Sequence, residues 1–218
     1  MEQKPHNPFV SLSVKISRCL DSLRDRKICG RDLGRFVATP YAGSHGATGS
    51  QAAPYRGLKV LLEDVPLSSE DSFVDIGCGK GRVLAYLAGI NAPCRITGVE
   101  LNPEVAAVAK SWTAGFSNIE VIEGDAFDLD YNDYTVLFMY RPMETDAFMD
   151  FIDMLEKTLR HDITLIYYAD GQSGYYLNGR SGWKLIRRRE IQKAGGFYIH
   201  LETQRYSIWW YYEKKHER

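Results

Sequence analysis

The stretch Val74-Asp75-Ile76-Gly77-Cys78-Gly79-Lys80-Gly81-Arg82-Val83, VDIGCGKGRV, decides how this chain is read. An apolar run enters it and a helix-like run leaves it. Gly77, Gly79 and Gly81 stand at alternate positions between them. Glycine allows a tight turn and a close backbone approach to a ligand. A strand, a glycine turn and a helix N-terminus together make a seat for a nucleotide. Which nucleotide is set by the neighbours of the glycines.

A dinucleotide turn reads G-x-G-x-x-G, and its pyrophosphate lies over the following helix. Here the spacing is G-x-G-x-G, and Asp75 precedes the first glycine by two residues. A carboxylate beside a pyrophosphate is repelled. S-adenosylmethionine has no phosphate and carries an ammonium and a sulfonium. An ionised acid in a partly buried cleft favours such a cation. Gly77 and Gly79 leave room for its methionine portion, and Cys78 between them reads as a small packing residue.

Further acids follow at the ends of the next two predicted strands. Glu100 ends ITGVE, followed by Leu101, and can accept from both ribose hydroxyls. Asp125, in GDA, can accept from an adenine amino group while Ala126 offers its backbone N–H. Three acids at three successive strand ends are hard to reach by chance.

The rest of the chain supplies the frame. Phe9, Leu12, Ile16, Leu20 and Leu23 predict an amphipathic helix to about Cys29, stopped by Gly30. A loop rich in glycine and serine, PYAGSHGATGSQAAP, runs from Pro40 to Pro54. Residues 1–54 read as an N-terminal helix and a cover over cofactor or substrate, and 55–218 as the ligand-binding domain. Leu58, Leu61 and Leu62 predict a short helix before Pro66. Strands SFVDI, CRITGVE, NIEVIEGD, YTVLFMY and DITLIYYA alternate with helices, and Asn102 caps one of these before Pro103. This succession predicts an α/β, doubly wound, mainly parallel sheet. WKLIRRREIQ and FYIHLETQRYSIWWYYEK predict a terminal hairpin turning at Gly195-Gly196.

Composition sets limits. The 218 residues carry a net charge of −1, so no global field selects nucleic acid. The charge is uneven: residues 1–35 carry +4, 36–179 carry −11 and 180–218 carry +6. Cys19, Cys29, Cys78 and Cys94 form no metal or disulfide pattern, which fits a reducing cytoplasm and predicts no metal. The first residues lack a signal-peptide core, and no apolar run is long enough to cross a membrane.

VDIGCGKG, GVELNP and EGDAFD resemble the first three motifs of the class I S-adenosylmethionine-dependent methyltransferases. The resemblance covers about Asp71 to Asp170 and, more loosely, the hairpin. It implies a seven-stranded sheet of order 3-2-1-4-5-7-6 with the seventh strand antiparallel. It also implies S-adenosyl-L-methionine as cofactor and S-adenosyl-L-homocysteine as product. PYRGLKVLLEDVPLSSEDSFVDIGCGKGRVL followed by VLFMYRPM resembles a group of small bacterial methyltransferases of unassigned substrate. The layout is similar to lysine-specific protein methyltransferases of the non-SET kind. Enzymes acting on planar amides or bases often carry Asn-Pro-Pro-Tyr after the fourth strand, whereas this chain has Tyr140-Arg141-Pro142-Met143.

The expectation is therefore methyl transfer to a protein side chain, lysine among them, or to a small molecule. A non-catalytic binder of the cofactor is the alternative, and the turn spacing argues against a nicotinamide-dependent oxidoreductase. Tyr140, Arg141 and His45 are the candidate catalytic residues. Tyr140 also joins the cofactor set of Asp75, Gly77, Cys78, Gly79, Arg82, Glu100, Leu101, Asp125 and Ala126.

Overall fold

The computed structural model describes residues 7–212. The chain opens with α1 (Pro8–Cys29). Asn7 caps it by accepting from the Phe9 amide, and Gly30 ends it in the left-handed conformation. The glycine-rich loop holds one short helix, α2 (Ala42–His45), and leads to α3 (Tyr55–Glu63). Then come β1 (Ser72–Ile76), α4 (Arg82–Gly89), β2 (Arg95–Glu100), α5 (Pro103–Thr113), β3 (Ile119–Glu123) and β4 (Val136–Tyr140). They are followed by α6 (Thr145–Thr158), β5 (Ile163–Tyr168), β6 (Trp183–Ile191), the short β7 (Lys193–Ala194) and β8 (Phe197–Tyr198), and β9 (Gln204–Tyr211).

Seven strands form one sheet in the order β3-β2-β1-β4-β5-β9-β6. The first five are parallel. β9 enters between β5 and β6, antiparallel to both. With β9 counted as the seventh sheet strand, this is the order and the direction that the resemblance implies. Alternate residues bury on opposite faces, as both-sided burial requires. Phe73 and Phe138 pack with Leu58, Leu61 and Leu84 of α3 and α4. Val74, Leu137 and Met139 pack with Phe148, Phe151 and Leu155 of α6. Trp209 and Tyr211 belong to this second core, so the WWYY segment contributes packing.

The terminal hairpin differs from the prediction in one respect. Gly195 and Gly196 turn only the two-residue ribbon β7–β8, and the long partner of β6 begins at Gln204. FYIH thus stays outside the main sheet.

The first helix forms where its spacing predicts, but it does not bury its apolar stripe. Phe9, Leu12, Ile16, Leu20 and Leu23 are exposed. Ser13, Val14, Ser17, Asp21 and Asp25 face the domain instead. The reason is Arg82, only 6% exposed at the start of α4. Its guanidinium donates to both oxygens of Asp25, at 3.1 and 2.5 Å. Asp21 lies 3.9 Å from it. Asp25 also accepts from the Leu33 amide and the Tyr55 hydroxyl. Ser13 accepts from the Tyr198 amide at 2.8 Å. A buried charge requires these partners, and that requirement outweighs the hydrophobic pattern of the helix.

Asp25→Ala leaves the Arg82 charge buried beside weaker partners. We expect a loss of about 3–5 kcal/mol in unfolding free energy, read as a lower urea midpoint. The double variant Asp25→Ala/Arg82→Met should lose less than the sum of the two single changes, because it leaves no unpaired charge.

Candidate cofactor and acceptor site

β1 ends in the glycine turn. Gly77, Gly79 and Gly81 adopt φ of 70°, 57° and 89°, where side chains are strained. At the first two, a Cβ would also collide with neighbours, Pro142 Cβ and Ser50 Oγ respectively. The turn is thus pressed against the β4–α6 loop on one side and the glycine-rich loop on the other.

The turn, the ends of β1 to β3 and the glycine-rich loop line one cleft. Asp75, Gly77, Cys78, Gly79, Glu100, Leu101, Asp125, Ala126 and Tyr140 all border it, so the structure brings the predicted cofactor set together. Asp75 is 2% exposed, and its Oδ2 is buried with no hydrogen-bond partner among the described residues. Burial first, and then the nearby Glu100, push its carboxyl well above the usual carboxylate range. A buried acid without a partner is costly and calls for a donor or a cation from outside the chain.

Glu100 is held differently. One oxygen accepts from the Gly79 amide at 2.8 Å and the other from the Asn102 amide at 2.9 Å. Burial raises its carboxyl, and these backbone donors oppose the rise. Its orientation is fixed by the turn itself, with acceptor capacity left over for a ligand. Asp125 accepts from the Phe127 amide through Oδ1. Its Oδ2 stands 3.8 Å from His45 Nε2. Cys78 is buried beneath Gly98, where a Cβ would meet its sulfur at 2.8 Å. Burial pushes its thiol well up, which suits a packing residue. Arg82 borders the cleft but spends its donors on Asp25.

The glycine-rich loop is strapped across this cleft. Val37 and Ser50 pair in antiparallel fashion, as do Ala47 and Met143. Thr48 donates its amide to the Pro142 carbonyl and its hydroxyl to the Arg141 carbonyl. Lys80 donates to the Arg35 carbonyl. Within the loop, His45 joins Ser44 at 2.7 Å and Tyr41 edge-on. Tyr55 lies apart, with its hydroxyl on Asp25.

Tyr140 ends β4. Its ring lies 4.8 Å from that of Tyr168, tilted by 30°. Burial pushes its phenol up to about 12, so it stays protonated at neutral pH. Arg141 follows with φ of 44°, uncommon outside glycine, and stands 3.6 Å from Glu144. Beyond Tyr140 lies a second cavity of about 480 Å³, which shares Thr48, Gly49, Gln51 and Tyr140 with the cleft. Arg141 lines this second cavity. Sequence reasoning missed Ser50, Gln51, Tyr168 and His200 around these spaces. Their local sequence carries no signal, since they arrive from loops and strand ends far apart in the chain.

Among the described residues there is no cluster of metal-ligating side chains. No helix there is long and apolar enough to cross a membrane.

Residues 73–161 match the family described as "Methyltransferase domain". A protein-lysine N-methyltransferase of Saccharolobus islandicus is 29% identical over 92 residues, 40% of this chain and 56% of that protein. A probable ribosomal RNA small subunit methyltransferase A of Methanosarcina mazei is 29% identical over 108 residues, 50% of this chain and 37% of that protein. The chain therefore spans about half or less of these curated relatives. Among solved structures, an RNA methyltransferase of Salinibacter ruber in complex with S-adenosyl-L-homocysteine aligns with TM-score 0.54 at 18% identity. It covers 77% of this chain and 96% of that one. A mutant of MtNAS in complex with S-adenosylmethionine aligns with TM-score 0.55 at 16% identity, covering 94% of this chain and 76% of that one. Residues 73–161 thus match a methyltransferase domain, and the sheet around them has the strand order that the class I resemblance implies.

Proposed function

We propose that the protein transfers a methyl group from S-adenosylmethionine to an amine of a protein side chain, with lysine as the leading acceptor. The observation that carries the reading is the buried, unpartnered Asp75 Oδ2 at a glycine turn that borders the cleft. When bound, the cofactor supplies a methyl group on a cationic sulfur that departs as a neutral thioether.

The chain's own residues hold and position. Asp75 meets the cationic end of the cofactor, and that contact compensates its burial. Glu100, oriented by Gly79 and Asn102, accepts from the ribose hydroxyls. Asp125 accepts from the adenine amino group. His45 then lies at the adenine end, beside Asp125, and serves as a cover and not as a base for the acceptor. Tyr140 stands between the cleft and the second cavity, where nucleophile and methyl carbon would meet. Its phenol is too weak an acid to act as an anion there, so it serves as an aromatic wall and a donor. Positioning alone can lower such a barrier by about 7–11 kcal/mol at best. An amine that arrives unprotonated needs no base.

The acceptor class rests on the Saccharolobus islandicus relative. RNA is the second reading, favoured by the Methanosarcina mazei relative. Incubation of the protein with methyl-labelled cofactor and fractionated lysate separates the two. Label that is lost to protease supports the first. Label lost to ribonuclease overturns it in favour of RNA, label that survives both enzymes overturns it in favour of a small molecule, and no transferred label in any fraction overturns the assignment of a catalyst.

Two variants test the cofactor contacts. Glu100→Ala removes a charged acceptor worth about 1.5–3 kcal/mol per hydrogen bond. We expect S-adenosylhomocysteine to bind roughly 10- to 100-fold more weakly with the fold intact, as measured by calorimetry and circular dichroism. Unchanged affinity would refute the ribose assignment. Asp75 has a raised carboxyl in the folded protein. Its contribution to stability is present at low pH and is lost as the pH rises through that raised value. Asp75→Asn should remove this loss, so that urea midpoints of the ligand-free variant fall less between about pH 4 and pH 8. The same variant should bind the cofactor more weakly, because the amide carries no charge.

A further inference from the structure

Apart from the four residues it shares with the cleft, the second cavity is built from parts outside the predicted cofactor set. Two of its residues, Arg141 and Ala169, follow the ends of β4 and β5 with φ of 44° and 57°. Non-glycine residues in that region are uncommon and cluster at functional sites. A third, His200, is 8% exposed.

The protonation pattern of His200 follows from its neighbour. Tyr168 is fully buried, and its hydroxyl has one hydrogen-bond partner among the described residues, His200 Nε2 at 2.5 Å. A buried hydroxyl must donate its proton, and Nε2 is the acceptor at hand. The neutral ring then carries its own proton on Nδ1. Burial, and then the nearby Arg18, hold the ring pKa down to about 4, so no second proton joins it at neutral pH. Nδ1 makes no hydrogen bond among the described residues and is not among the enclosed unpartnered atoms. It is a free donor on a wall of the cavity.

Two cations join it. Arg18, exposed on α1, lines the same cavity and has no ion-pair partner among the described residues. Among the described residues, the ion-pair partner of Arg141 is Glu144, at 3.6 Å and half-exposed, a weak restraint. Three donors, two of them charged, converge on one space adjoining Tyr140. That chemistry selects a carboxylate or a phosphate.

We propose that this cavity is the recognition half of the acceptor site, where Arg18, Arg141 and the His200 Nδ1–H bind a carboxylate on an acidic polypeptide segment carrying the methylated amine. Polypeptide is favoured over RNA by what else lines the space. Exposed Phe36 and Leu201 suit the aliphatic side chains of a polypeptide. Two arginines are also few for an RNA backbone, whose binding draws on many cations. The proposal rests on the methyltransferase reading and adds a substrate chemistry to it.

The test uses three fluorescent probes with the full chain saturated by S-adenosylhomocysteine. They are a lysine peptide flanked by glutamates, the same peptide with glutamines, and a short single-stranded RNA. We expect the glutamate peptide to bind at least about tenfold more tightly than the glutamine one, a difference of about 1.4 kcal/mol. Arg18→Gln and His200→Phe should abolish that preference without changing calorimetric affinity for S-adenosylhomocysteine. Equal binding of the two peptides overturns the proposal, and tighter RNA binding that Arg18→Gln weakens replaces it with a phosphate site. If S-adenosylhomocysteine does not bind the unmodified protein, the underlying reading fails instead. Nitrogen-15 NMR of the histidine rings should show the Nδ1–H tautomer for His200 at neutral pH. The Nε2–H tautomer would remove the donor and with it the proposal.

Discussion

The contact on which the arrangement depends is the buried pair of Asp25 and Arg82. It joins the first helix to the helix that leaves the glycine turn. Through the same carboxylate it also holds Leu33, at the root of the covering loop, and Tyr55, at the start of α3. Four segments are thus tied to one buried charge pair. Such a pair adds little net stability against an apolar replacement, but it specifies one arrangement because any other leaves a charge unpaired. The covering loop is placed over the cleft as a result, and its hydrogen bonds to Arg141 and Pro142 complete the placement.

The cleft shows two ways of holding an acid. Glu100 is satisfied by the backbone of its own fold and so has a fixed direction. Asp75 is left with an unpartnered oxygen and so awaits a ligand. The first supplies geometry and the second supplies a demand for positive charge. Their closeness also raises the Asp75 carboxyl further, which strengthens that demand. The second cavity repeats the contrast on its donors: the Tyr168 hydroxyl is spent on His200, and the far side of the imidazole is free.

Much of the frame was legible in the residues. Strands alternating with helices announced a mainly parallel sheet, and Asn102-Pro103 announced a helix start that the structure reproduces. The first helix shows the limit of such patterns. Its apolar spacing gave the right helix and the wrong face, because ionic partners at Asp21, Asp25 and Arg82 decide which side turns inward. His45 shows another limit. The sequence offers it as a candidate catalytic residue without saying which end of the cleft it serves, and the fold sets it against Asp125.

The sequence by itself determined the strand–turn–helix seat and the signs of charge around it, since glycine freedom and carboxylate chemistry are local properties. It singled out Asp75, Glu100 and Asp125 as a set, because each stands at or just beyond the carboxyl end of its own strand. Only the tertiary structure decided what lies opposite them. Ser50 against Gly79, Pro142 against Gly77, and Arg18, Arg141 and His200 around one cavity come from distant parts of the chain. Their meeting depends on sheet order and on a buried ion pair, and neither is written in any short stretch of residues.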